Sequence, residues 1–130
     1  QYAIARVDAD IIDQINILQA TRRAMLAAVT QLSITPDHLL IDGISTINSP
    51  LPQTTIIQGD SRSITIAAAS ILAKVYRDRL MEQYHREYPL YGFDRHKGYG
   101  SAQHREALKA HGPCPIHRIS LRGVILDTVG

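Results

Sequence analysis

Residues 54–81 read TTIIQGDSRSITIAAASILAKVYRDRLM, and this stretch decides the fold class. TTIIQ at 54–58 is rich in β-branched residues and predicts a strand, ended by Gly59 and Asp60. From Ile64 the pattern turns helical and holds to Tyr88, where Pro89 stops it. The helix opens with ITIAAASILAKV, almost uncharged, and Ala67, Ala68 and Ala69 would allow a close neighbour, so a buried helix is expected. Upstream, LLID at 39–42 followed by Gly43 predicts another strand, and the proline-bearing stretch 45–53 between the strands predicts a loop. Further back, Ile11, Ile15, Leu18, Arg22, Met25, Val29 and Leu32 recur at helical spacing. Asp10 would cap that helix, Asp13 would add negative charge to its first turn, and Pro36 would close the region. Downstream, YGFDRHKGYGS at 91–101 predicts an ordered loop, 102–110 a short helix stopped by Gly112 and Pro113, and 121–126 a strand. This is an α/β order, yet two well-marked strands are too few for the sheet such helices cover, so part of a sheet is missing.

Composition agrees. The chain has 130 residues, the size of one domain or part of one. A hydrophobic share of 45% and a charged share of 20% exclude a disordered arm. The net charge of +2 permits a polyanionic partner without indicating one. The single cysteine, Cys114, excludes an internal disulfide framework, no apolar run reaches the length of a membrane span, and a cytoplasmic protein is expected. Residue 1 is glutamine, so the chain is expected to be processed or to begin inside a longer protein.

Several residues could carry chemistry. Asp42 and Asp60 each follow a short strand and adjoin a glycine. Converging carboxylates at strand ends would suit a divalent cation; turn formation explains the same spacing. Lys74 and Arg77 share a helix face and could meet phosphates, or form a solvated surface paired with Asp78 and Glu82. Arg95, His96 and Lys97 precede Tyr99, which glycines flank on both sides. Such a ring could stack on a sugar or base while the cations hold phosphate. Phe93 is expected instead to pin the loop to the core. His111, Cys114 and His117 have zinc-like spacing, but prolines flank the cysteine and a fourth ligand is wanting. Ser61, Ser63 and Ser70 have no spacing that predicts a catalytic triad, and His104 is expected to be a structural hydrogen bonder.

Taken together, DIIDQINILQATRRAM (10–25), LLIDG (39–43), QGDSRSITIAAASILAKVYRDRLM (58–81), YPLYGFDRHKGYGSAQH (88–104) and GPCPIHR (112–118) resemble bacterial ribonuclease HII, over nearly the whole chain. The resemblance implies a ribonuclease H-like mixed sheet flanked by helices. It also implies a monomeric endonuclease that hydrolyses the RNA strand of RNA–DNA hybrids and cuts at ribonucleotides embedded in duplex DNA, leaving 5′-phosphate and 3′-hydroxyl ends. In that family four acidic residues hold Mg2+ or Mn2+. Asp42 in LIDG and Asp60 in GD match two of them. The other two form an Asp-Glu pair in a first-strand motif resembling VDEAGRG. RVDAD at 6–10 lacks the adjacent Glu and the Gly-Arg-Gly turn, so neither Asp8 nor Asp10 is assigned to the metal.

By the same resemblance, Tyr99 corresponds to the tyrosine that packs on the deoxyribose beside the ribonucleotide. Lys74, Arg77 and Lys97 would contact nucleic acid, while Asp78, His104 and His117 would be structural. Leu121 departs from the family, which has an aromatic there. Residues 1–130 are thus expected to be the C-terminal portion of a ribonuclease HII catalytic domain. The alternative is a catalytically inactive remnant, at most a hybrid-binding module.

Overall fold

A computed structural model describes residues 1–117. They run α1 (Ala9–Ile15), α2 (Ile17–Gln31), β1 (Leu39–Asp42), β2 (Gln53–Ile56), α3 (Gly59–Arg62), α4 (Ile64–Glu87), α5 (Phe93–His96) and α6 (Ala102–His111). The strand expected at 121–126 and the departure at Leu121 lie outside the described residues.

Among the described residues the strands pair in parallel, Leu39 opposite Gln53 and Asp42 opposite Ile56, and form a two-stranded sheet with no further strand at either edge. Parallel strands are normally covered on both faces, so this is an α/β fold carrying an incomplete sheet. On β1, Leu39 and Ile41 are buried while Leu40 and Asp42 are exposed, the period of two that puts Asp42 on the face away from the core. Leu39 and Ile41 join Ile47 in a cluster packed by Met25, Leu26 and Val29 of α2 and by Leu51. The proline loop is closed by Gln53. Its Oε1 accepts from the Ile47 N–H at 2.8 Å, and its Nε2 donates to the carbonyls of Ile47 and Ser49 at 2.9 and 3.1 Å.

The helix expected from Asp10 towards Pro36 is two helices. Asn16, at φ 74°, breaks it and caps α2 by accepting the Gln19 N–H at 3.0 Å. Asparagine is among the strongest caps. The cap of α1 is not Asp10 either: the Asp8 carbonyl accepts from the amides of Ile11 and Ile12, and Asp10 lies in the first turn. At the other end Leu32 is extended, so α2 stops short of Pro36. Arg22, which interrupts the apolar stripe, donates from Nε to the Thr46 carbonyl at 2.8 Å.

The long helix α4 forms as expected, but not buried. Among the described residues of α4 only Ile66 is buried, while Ile64 is 92% and Ile71 64% exposed. Ile64 and Ile71 are two turns apart on one side and Ile66 lies on the other, so the apolar run is spread around the helix. The absence of charge along the first turns of α4 therefore does not mark an inward face.

The chain divides into two compact units. One holds Gln1–Val7 and Ile15–Ala73, with the cluster around Ile41 as its core. The other holds Asp8–Gln14 and, among the described residues, the chain from Lys74 to His117. Its core is Tyr91, Phe93 and Leu108, packed by Met81, Tyr84, Tyr88, Ala107, Cys114 and Ile116. The 91–101 loop contains the single turn α5, and α6 is capped by Ser101, whose Oγ accepts the His104 N–H at 3.2 Å. No helix among the described residues is long and apolar enough to cross a membrane.

Candidate functional site

Asp42 ends β1 with an exposed side chain, and its Oδ1 accepts the backbone N–H of Gly59 at 2.8 Å. Gly59 is the buried first residue of α3, where a Cβ would stand 3.2 Å from that same oxygen and 2.6 Å from Ile66 Cδ1. The glycine is therefore what lets the turn close over the carboxylate. Gly59→Ala is expected to lower stability by about 1–3 kcal/mol through overpacking, and to displace the Asp42 carboxylate; urea denaturation measures the first and the Asp42 side-chain resonances the second. Unchanged resonances would show that Ile66 alone absorbs the methyl group.

Asp60 follows Gly59 in the same turn and is exposed. The sequence pattern puts it at a strand end; the structure puts it in α3, beyond the end of β2 at Ile56. Both acids are thus anchored at one turn, Asp42 through the Gly59 amide and Asp60 through the chain. Carboxylate oxygens are donors of the kind Mg2+ and Mn2+ prefer. They fit in kind but not in number, since no group of three or more His, Cys, Asp or Glu that could hold a metal is gathered among the described residues.

The second unit holds the residues read as nucleic-acid contacts. The Tyr99 ring is 65% exposed, with the Arg77 guanidinium carbon 5.6 Å from its centroid. Arg77 Nη2 donates to the Lys97 carbonyl at 3.2 Å, and Lys97 Nζ lies 3.4 Å from Glu82 Oε1. Lys74 is exposed one turn before Arg77, and Asp78 is half-buried beside it in sequence. An open aromatic face backed by a guanidinium can stack on a base or sugar while the cation meets phosphate.

Beneath the loop lies an array that sequence reasoning did not assemble. His96, His104 and His117 are all buried. The rings of His96 and His104 stack 4.2 Å apart at 7°, and Phe93 sets its edge against both at 5.5 Å. His104 Nε2 and His117 Nε2 are 2.8 Å apart. His104 Nδ1 reaches the Tyr99 carbonyl at 2.9 Å, and the Cys114 N–H donates to His117 Nδ1 at 2.9 Å. Burial, reinforced by the neighbouring His104, pushes the His117 pKa down to about 4. Burial also lowers His96 and raises the Cys114 thiol. His111 stands apart, exposed at the edge of Tyr91. The available signal was the pair of histidines bracketing KGYG, but their mutual contact is long-range and has no periodicity to reveal it.

A family model described as Ribonuclease HII matches residues 1–123. Among similar curated proteins, the ribonuclease HII of Geobacter metallireducens is 64% identical over 113 residues, covering 87% of this chain and 53% of the relative. That of Syntrophobacter fumaroxidans is 58% identical over 121 residues, covering 93% of this chain and 52% of the relative. That of Shouchella clausii is 51% identical over 129 residues, covering 99% and 49%. The chain spans about half the length of these relatives.

Proposed function

The chain belongs to the ribonuclease HII family, and from that premise we propose that its 130 residues are part of the catalytic domain and act alone at most as a hybrid-binding module. The single observation that carries this reading is the exposed Tyr99 ring, backed by Arg77 and held over a buried core. Tyr99 would pack on the sugar beside a ribonucleotide, while Arg77, Lys74 and Lys97 would contact phosphates, Lys97 after release from Glu82.

In the whole family protein, a cytoplasmic monomer on this reading, Asp42 and Asp60 would hold divalent metal together with carboxylates beyond the pair on the α3 turn. Mg2+ or Mn2+ bound there would supply activated water and charge stabilisation for cutting the RNA strand. What these residues contribute by themselves is orientation: the Gly59 amide fixes one Asp42 oxygen and leaves the other to a ligand. Asp78, His104 and His117 would serve structurally.

The test uses an RNA–DNA hybrid and a DNA duplex with one embedded ribonucleotide, with manganese present. Salt-sensitive binding without cleavage is expected, weakened about tenfold or more by Tyr99→Ala, less by Lys74→Ala, and unchanged by Asp42→Asn or Asp60→Asn. Turnover abolished by Asp42→Asn would overturn the binding-only reading. Binding indifferent to both Tyr99→Ala and Lys74→Ala would overturn the proposed surface.

A further inference from the structure

Tyr99 combines an exposed ring with a backbone held on both sides. Its N–H donates to the His96 carbonyl at 2.9 Å. Its carbonyl accepts from the Ser101 N–H at 2.8 Å and from His104 Nδ1 at 2.9 Å. Tyr91 and Phe93, in the same loop, are buried by their rings. Tyr99 is not, so whatever its backbone anchoring serves, it is not the burial of that side chain.

The partners determine where each imidazole proton sits. A carbonyl only accepts, so His104 Nδ1 carries the proton towards Tyr99 and His104 Nε2 is left with a lone pair. A backbone amide only donates, so His117 Nδ1 accepts from Cys114 and His117 Nε2 carries the proton. The two Nε2 atoms, 2.8 Å apart, then meet as one donor and one acceptor. A further proton on His104 would bring two N–H groups face to face. The chain therefore has one direction, from the Cys114 amide through His117 and His104 to the Tyr99 carbonyl. His96 is fixed in the same way. Its Nδ1 accepts the Gly98 N–H at 3.1 Å, its Nε2 donates to the Tyr91 carbonyl at 2.5 Å, and its ring stacks on His104. A buried polar network with every nitrogen matched specifies a single geometry more tightly than apolar packing does.

We propose that His104, oriented by His117 and clamped by His96, is a positioning residue for Tyr99: it sets the tyrosine's backbone carbonyl and so the place at which the exposed ring meets nucleic acid. This rests on the reading of Tyr99 as a nucleic-acid contact, and the experiment separates the two.

Two side-chain amides distinguish the ring nitrogens of His104. His104→Asn keeps a donor near the Nδ1 position, whereas His104→Gln moves the amide out to the Nε2 position and leaves the Tyr99 carbonyl without its imidazole. Without ligand, 15N spectra at neutral pH are expected to show His104 protonated at Nδ1 and His117 at Nε2. His104→Gln is expected to shift the Tyr99 ring resonances and His104→Asn to leave them near wild type. The opposite tautomer on either histidine, or unmoved Tyr99 resonances in His104→Gln, would overturn the proposal.

With an RNA–DNA hybrid as probe, His104→Gln is expected to weaken binding about three- to tenfold, and to have no further effect in a Tyr99→Ala background. His104→Asn should bind like wild type. Equal losses in both backgrounds would make His104 merely structural and overturn the proposal. A Tyr99→Ala variant that binds like wild type would instead overturn the nucleic-acid reading of Tyr99, while the ligand-free spectra still decide the relay. Should His104→Gln fail to fold, the wild-type tautomers and the behaviour of His104→Asn carry the decision.

Discussion

Replacing Phe93 with alanine is expected to destabilise the second unit by about 3–5 kcal/mol, the range for deleting a buried phenyl ring. Phe93 is 1% exposed and stands at the centre of a ring cluster: stacked on Tyr91 at 5.4 Å, edge-on to His96 and His104, and tilted against His117 at 5.6 Å. Its removal leaves a cavity whose walls are largely imidazole rings already committed to specific partners. Those rings cannot collapse inward without giving up hydrogen bonds to Tyr91, Tyr99 and Cys114. The loss therefore belongs at the upper end of the range. Set against a typical domain stability of about 5–15 kcal/mol, it is a large fraction. Urea denaturation followed by tyrosine fluorescence measures it, since the chain has six tyrosines and no tryptophan. Phe93→Leu, which keeps most of the volume, should lose clearly less. Equal losses in the two variants, or a Phe93→Ala cost below about 1 kcal/mol, would show that the ring is not what holds the loop.

How much of this was legible depended on whether a feature is local. LLID at 39–42 reads as a strand because a short apolar run ends there on a carboxylate and a glycine turn, and the structure places β1 at those four positions. The length of α4 is legible because Pro89 closes a long uninterrupted helical pattern. The break at Asn16 is not, because the apolar spacing of three and four continues across it and only the positive φ of one residue interrupts the helix. Nor is the exposure of Ile64 and Ile71, since what lies against a helix is not a property of its own residues. At the candidate site, the glycines around Tyr99 announce an exposed ring, and the ring is exposed. The Asp42–Gly59 hydrogen bond spans 17 residues and the His104–His117 contact 13. Pairings of that range follow from tertiary closure, which no window of sequence contains. The resemblance to family motifs singles out Asp42, Asp60 and Tyr99 as residues; that a methyl group on Gly59 would crowd Ile66 and the Asp42 carboxylate appears only in the packing.

The histidine array also makes stability depend on pH, with a definite sign. His117 is ordinarily half-protonated at pH 6.5, and in the folded chain burial and the adjacent His104 push that point down to about 4. Above pH 7 both folded and unfolded chains leave it neutral, so it contributes no slope. Between pH 6.5 and 4 the unfolded chain takes up a proton that the folded chain refuses, and stability falls as the pH falls. Over that window His117 alone accounts for a loss on the order of 3 kcal/mol, levelling off below the folded pKa. The neighbouring imidazoles act in the same direction: His104 and His96 repel an incoming proton. His96, itself lowered by burial, adds a smaller loss in the same direction, partly offset by its bond to the Tyr91 carbonyl and by Asp94. Urea midpoints at pH 7.5 and 4.5 should therefore differ clearly in the wild-type chain. His117→Asn, which can still accept the Cys114 amide, should be less stable at pH 7.5 yet lose less between the two pH values. If both chains lost the same amount, the acid sensitivity would have to come from other groups, and His117 would not be the member of the array that must stay neutral.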